Sequence, residues 1–335
     1  KFIRNSPTDP MQSPTLSPDF AETIIVPSTK GMKVSAYRVL AAPEGAPALV
    51  FAHANGFNAG CYRPFLERLS SHFQVFAYDA RGHGGSLSPD DDIENDYAMV
   101  RFAEDLSAVV KMVRELIGNA MLLHFASHSV GGLAAILLEA ELECTPFNSL
   151  TLFEPPIYPP NGHPERAAAL AHAPNFIRWA GRRRNHFSSR EALLAEVRKI
   201  NTYQRFAPEM MEAYLNSAVE PAPTGGLRLR CPGKIESAIY GNCPDSGIFE
   251  LMDKITTRTR IYSTDQSVLV NLHSWAPNTM VSIAENMVNG EARTMPGCLH
   301  LMVQENPGAC AVAILDHTLD LGPSLESFRK SENKT

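Results

Sequence analysis

A hydroxyl nucleophile needs a base, an acid that orients the base, and donors for the oxyanion it creates. The stretch HFASHSVGGLAAILLEAE, residues 124–141, offers Ser127 and Ser129 on either side of His128. It leaves an apolar run, turns through Gly131 and Gly132, and enters a helix-like pattern. A serine on so tight a strand-to-helix turn requires small residues two positions before and after it, because helix and strand pass close together. Centred on Ser129, those positions are Ser127 and Gly131; centred on Ser127, they are Phe125 and Ser129, and Phe125 would clash. Ser129 is therefore the candidate nucleophile at a nucleophile elbow, and Ser127 is a spacer where such a turn usually has glycine. The plainer alternative is that Ser129 only caps the helix.

The other parts have candidates too. A third strand runs into HANGFNAGCYRPF, residues 53–65, whose His-x-x-Gly turn stands where backbone donors belong. The oxyanion hole is expected at the N–H groups of Asn55 and Val130. His53 reads as a brace for that loop. The base belongs late in the chain, and MPGCLH supplies His300 after Pro-Gly and before a helix. His128 is expected to point away from the pocket, His83 in DARGHGGS to brace a turn, and His317 to lie in the final helix. Two carboxylates compete for the orienting role. Asp265, in RIYSTDQS at the end of the penultimate strand, fits the chain order Ser…Asp…His. Glu154, in TLFEPP, is the alternative acid; its other reading is a gatepost hydrogen-bonding a nearby loop.

These residues need a scaffold, and short apolar runs alternate with helix-period segments. Strands are expected at 22–28, 32–40, 48–54, 74–80, 121–128, 150–156, 257–264 and 292–297. Helices are expected near 60–71, 97–117, 129–142, 267–287 and 306–320. The first two strands follow one another almost directly, so they should form an antiparallel hairpin. The β-α-β-α order that follows predicts an α/β protein with a mostly parallel eight-stranded sheet and helices on both faces. The alternation fails between residues 157 and 255, where helical segments dominate and no clear strand is seen. This reads as a mainly helical cap, a substrate lid, inserted after the sixth strand. The expected division is a core of 21–156 and 256–322, a cap of 157–255, a disordered arm of 1–20 and a tail of 323–335. Phe176, Trp179, Met210, Met211 and Tyr214 could make the pocket apolar, or could simply be cap core. The run Arg182-Arg183-Arg184 reads as a solvated helix face, or else as an attractor for an anionic substrate or partner.

Composition narrows the classes further. The chain has 335 residues, 44% hydrophobic and 20% charged, as an ordinary globular protein does. A net charge of −6 argues against a nucleic acid or an anionic membrane as partner. No apolar run approaches a membrane span. The six cysteines show no zinc spacing and read as buried thiols, with a disulfide between Cys231 and Cys243 possible. No metal is expected. No signal peptide and no S-K-L terminus is visible, so a soluble, intracellular protein is the expectation.

Taken together, FAHANGF, YDARGHGGS, SHSVGG, LFEPP and MPGCLH resemble the α/β-hydrolase superfamily in order and approximate spacing, over residues 21–322. Within it the chain looks like a branch similar to microbial hydrolases carrying HANGF and to fungal peroxisomal lipase-like or toxin-biosynthesis hydrolases. The resemblance implies an α/β-hydrolase fold, a Ser-His-acid catalytic triad and no cofactor. Relatives that open carbon–halogen bonds or epoxides carry Asp at the elbow, and Ser129 argues against both chemistries. The expected activity is that of a serine esterase, cleaving an ester, thioester, lactone or amide bond in a small, largely apolar substrate. The alternatives are a C–C bond hydrolase, an acyltransferase using the same residues, or a catalytically silent binding protein.

Overall fold

The computed structural model of the chain describes residues 3–5, 20–141, 146–265, 267 and 277–319. Its strands are β1 (Ile3–Asn5), β2 (Glu22–Pro27), β3 (Lys33–Arg38), β4 (Ala48–Ala52), β5 (Gln74–Tyr78), β6 (Leu123–His128), β7 (Ser149–Phe153), β8 (His186–Phe187), β9 (Val219–Pro221), β10 (Leu227–Leu229), β11 (Thr259–Ser263) and β12 (Gly290–Thr294). The main sheet runs β1-β2-β3-β5-β4-β6-β7-β11-β12. β1, β2, β3 and β5 meet antiparallel, and every neighbour from β5 to β12 is parallel. The expected hairpin is β2–β3. β1 is an addition: Ile3 lies opposite Ile25, inside the stretch expected to be a disordered arm. Residues 1–2 and 6–19 of that arm, the tail 323–335 and part of the 267–287 helix expectation lie outside the described residues.

Every residue of β4, β6 and β7 is buried, as central strands covered on both faces must be. Strand alternation divides their side chains. Leu123, Phe125, Leu150 and Leu152 pack with Phe102, Leu106, Val109 and Val113 of helix Met99–Ile117, whose apolar residues recur at helical spacing. Leu49, Phe51, Ala126 and Phe153 pack on the other face with Phe65, Leu66, Ile314 and Leu315. Those last residues come from helices Arg63–Leu69 and Pro307–Thr318.

Between β7 and β11 lie helices Arg166–Leu170, Ala173–Gly181, Arg190–Val197, Pro208–Ser217 and Gly233–Asn242. The same segment also holds a three-stranded antiparallel sheet, β8-β10-β9, which corrects the strand-free expectation for 157–255. Its strands have two or three residues, and β9 ends in Pro221, so no alternation could reveal them. This segment covers the loop after β4. Asn58 Nδ2 donates to Ser217 O (2.6 Å) and Asn55 Nδ2 to Glu236 O (2.9 Å). The Phe57 ring packs against Tyr203, Phe206 and Tyr214. Cys61, Cys231, Cys243, Cys298 and Cys310 are buried free thiols, so the Cys231–Cys243 disulfide is not formed. Among the described residues, no helix is long and apolar enough to cross a membrane.

Candidate active site

β6 ends at His128, and the chain turns at once into helix Gly131–Glu141. Ser129 occupies the turn with φ 55°, a left-handed conformation uncommon outside glycine. Its N–H is held by Phe153 O (2.8 Å), and its carbonyl accepts the N–H of Gly132 (3.0 Å). Gly131 is required here: a Cβ would lie 2.7 Å from the carbonyl oxygens of both Ala52 and His53. Ser127 is fully buried, and its hydroxyl has no partner among the described residues.

His300 follows β12 on the loop before helix Met302–Glu305. Its Nε2 lies 3.1 Å from Ser129 Oγ, so the serine hydroxyl donates to it. Its Nδ1 lies 2.6 Å from Glu154 Oε2, so the ring N–H donates to that carboxylate. Glu154 is 1% exposed and sits just past β7 with φ 47°. Of the three described non-glycine residues at positive φ, two are Ser129 and Glu154. Backbone strain of this kind concentrates at functional sites. Glu154 Oε1 accepts the backbone N–H of Thr264 (2.9 Å) and the Thr264 hydroxyl. Both carboxylate oxygens are therefore engaged, as a buried charge requires.

The carboxylate that meets His300 is thus Glu154, and the Asp265 expectation is corrected. Asp265 Oδ2 accepts the N–H of Gly297 (2.8 Å), and Oδ1 accepts the N–H (2.9 Å) and hydroxyl (2.7 Å) of Ser267. These bonds, Gly297 N–H foremost, hold its carboxyl below the usual aspartate range. It ties down the backbone of the loop carrying His300 and leaves the imidazole to Glu154.

Asn55 and Val130 line one narrow void behind the elbow, and among the described residues neither backbone N–H has a partner. The Asn55 loop is held from three sides. His53 Nε2 accepts the N–H of Ala80 (2.9 Å), and His83 Nε2 accepts the N–H of Gly56 (3.0 Å). From above, Arg183 bonds Glu236 (2.6 Å) and the Tyr214 hydroxyl. Burial depresses His53 to about 4 and His83 to about 3, so both are neutral braces near pH 7. Arg182 and Arg184 are exposed, but Arg183 turns inward, which a solvated-face reading of the whole run did not anticipate. Glu236, 53 positions away, is its partner, and no local spacing signals that.

Of the expected pocket residues, Tyr214 is fully buried beside Phe57, whereas Trp179 is 49% exposed. Phe176 stacks on Tyr240, and Met211 is partly buried against the core. A groove of about 680 Å³, lined by Arg68, Tyr262, Arg293 and Glu305 among others, includes none of Ser129, His300 and Glu154.

The comparisons with known proteins agree with this architecture. The model of the alpha/beta hydrolase family matches residues 49–313. The chain is 36% identical over 96 residues to 3-oxoadipate enol-lactonase 1 of Acinetobacter baylyi, covering 29% of this chain and 32% of that protein. It is 31% identical over 96 residues to 2-(acetamidomethylene)succinate hydrolase of Mesorhizobium japonicum, covering 28% and 31%. The chain spans about a third of the length of these curated relatives. Among solved structures, an E-2-(acetamidomethylene)succinate hydrolase superimposes with a TM-score of 0.71 at 17% identity, over 88% of this chain and 98% of that one. A peroxisomal alpha-beta-hydrolase of Saccharomyces cerevisiae gives 0.65 at 15% identity, over 100% and 96%. With a family match that runs from β4 into the last helix, the chain belongs to the alpha/beta hydrolase family.

Proposed function

We propose that the protein is a serine hydrolase that cleaves an ester-type bond of a small, largely apolar substrate through Ser129, His300 and Glu154. The observation that carries this reading is the continuous hydrogen-bond line from Ser129 Oγ through the His300 ring to a buried Glu154. His300 Nε2 takes the Ser129 proton as Oγ attacks the substrate carbonyl. The N–H groups of Asn55 and Val130 hold the oxyanion, a term worth roughly 3–4 kcal/mol for each donor removed. His300 returns the proton to the leaving group, and a water activated by His300 then releases the acyl group. Glu154 fixes the tautomer with the proton on Nδ1 and stabilises the imidazolium. The Acinetobacter relative, named as an enol-lactonase, supports an ester or lactone substrate class. Tyr214 and Phe57, packed beside the Asn55 loop, would wall the acyl pocket.

The test is burst hydrolysis of short p-nitrophenyl esters together with fluorophosphonate labelling. Ser129→Ala should abolish both. Ser127→Ala should retain both, because the Ser127 hydroxyl makes no hydrogen bond among the described residues that could be lost. Absence of burst and of labelling in the wild-type protein would overturn the reading.

A further inference from the structure

The residue before the nucleophile has a partner on each side. His128 is fully buried, and its ring lies between two loops. Its Nε2 is 2.8 Å from the backbone oxygen of His300, and its Nδ1 is 2.7 Å from the Tyr62 hydroxyl. A carbonyl can only accept, so Nε2 carries the proton and Nδ1 accepts from Tyr62. The Tyr62 oxygen in turn accepts the N–H of Ala54 (3.2 Å), the residue before Asn55. All donors therefore run one way: Ala54 N–H to Tyr62, Tyr62 O–H to His128, His128 N–H to the His300 carbonyl. The Tyr62 ring is itself fixed against Phe51 and Phe57, 4.9 and 5.9 Å between centroids.

The loop carrying the expected oxyanion donor and the loop carrying the expected base are 245 residues apart in sequence at Asn55 and His300. One buried tyrosine–histidine pair joins them. We infer that His128 is a positioning residue which, through Tyr62, holds the His300 loop in register with the Asn55 loop. The inference rests on the reading of Ser129 and His300 as the reacting pair. It requires a neutral His128, because the His128 and His300 rings are 5.3 Å apart and His300 becomes a cation during the reaction. Burial first, and the neighbouring His300 second, push the His128 pKa down to about 3, which keeps that ring neutral.

The test compares wild type, His128→Phe, His128→Gln and Tyr62→Phe by fluorophosphonate acylation rate and by kcat and KM on p-nitrophenyl butyrate. His128→Phe removes both bonds. A loop displaced by a fraction of an ångström to an ångström loses roughly 10- to 100-fold in acylation rate and kcat, with KM little changed. Gln can present an acceptor to Tyr62 and a donor to the His300 carbonyl, so His128→Gln should recover most of the loss. Tyr62→Phe breaks one link and should fall between wild type and His128→Phe. It removes a single oxygen, so it serves as the readout if His128→Phe does not fold. Undiminished acylation in His128→Phe and Tyr62→Phe overturns the coupling, as does an equal loss in the Gln and Phe variants. Failure of wild type itself to be labelled overturns the serine-hydrolase reading beneath it, and the two failures are thereby distinct.

Discussion

Two neighbouring strand ends each offer a carboxylate to the same loop, and they use it differently. At the end of β7, Glu154 is 1% exposed, has a strained backbone, and binds the His300 ring on one side and Thr264 on the other. At the end of β11, Asp265 lies near the surface in relaxed backbone and binds the main chain of Gly297 and Ser267. Sheet register explains the division. Phe153 pairs with Tyr262, so Glu154 is one residue beyond the paired level and Asp265 is three beyond it. The nearer carboxylate is roofed by the loop and reaches the imidazole; the farther one reaches only the loop's backbone. A carboxylate that orients a base needs burial and a fixed geometry, and only the β7 end supplies both.

The largest effect should therefore fall on Glu154. Glu154→Gln leaves the size and most contacts in place but removes the charge and permits the wrong His300 tautomer, an error worth roughly 10⁴-fold in kcat in the serine-protease template. Asp265→Asn should keep kcat within a few-fold. Steady-state kinetics of the two variants on one p-nitrophenyl ester breaks the comparison if the order is reversed.

Much of this was legible in the sequence. Small flanking residues favoured Ser129, Phe125 counted against Ser127, and the two glycines marked the turn now seen at residues 129–132. β2 to β6 match the expected segments to within two residues at either end and β7 to within three, because buried strands declare themselves as apolar runs. β12 starts two residues earlier than expected, since Gly290 and Glu291 carry no strand signal. The choice between Glu154 and Asp265 could not be read, because it depends on the offset between two strands 110 residues apart and on a positive φ before Pro155. The Tyr62–His128 bridge was hidden for a related reason. Strand alternation says which side of the strand His128 takes, yet says nothing about what a buried imidazole meets there.

Acid sharpens the contrast. Around the site, His53 and His83 brace the Asn55 loop and His128 meets the His300 carbonyl, and burial depresses the three to about 4, 3 and 3. Below about pH 6.5 the unfolded chain takes up protons that these folded rings refuse. Stability from each is therefore complete above about pH 6.5 and is lost as pH falls toward 3–4, at about 1.4 kcal/mol per pH unit per histidine. Tm should be nearly level from about pH 8 to 6.5 and then fall steeply, with cooperative unfolding before about pH 4. Circular-dichroism melts across this range check it, and a level profile down to pH 4 would contradict buried neutral histidines.

The smallest effect belongs to the Asp265 end, and its pH window is different. Bonds from Gly297 and Ser267 lower the folded pKa of Asp265 below its unfolded value. Its contribution is present above the ordinary aspartate pKa and disappears only as pH drops through the lower folded value. Solvent screens a group this exposed, so Asp265→Asn should lower Tm by less than the fall that acid produces in the wild type. The difference between variant and wild type should also stay constant from pH 8 to 5, while the histidine term is already eroding both proteins. A variant whose deficit instead shrinks between pH 8 and 5 would mean that the effect of Asp265 runs through a group other than its own carboxylate, and the division of labour between the two strand ends would have to be redrawn.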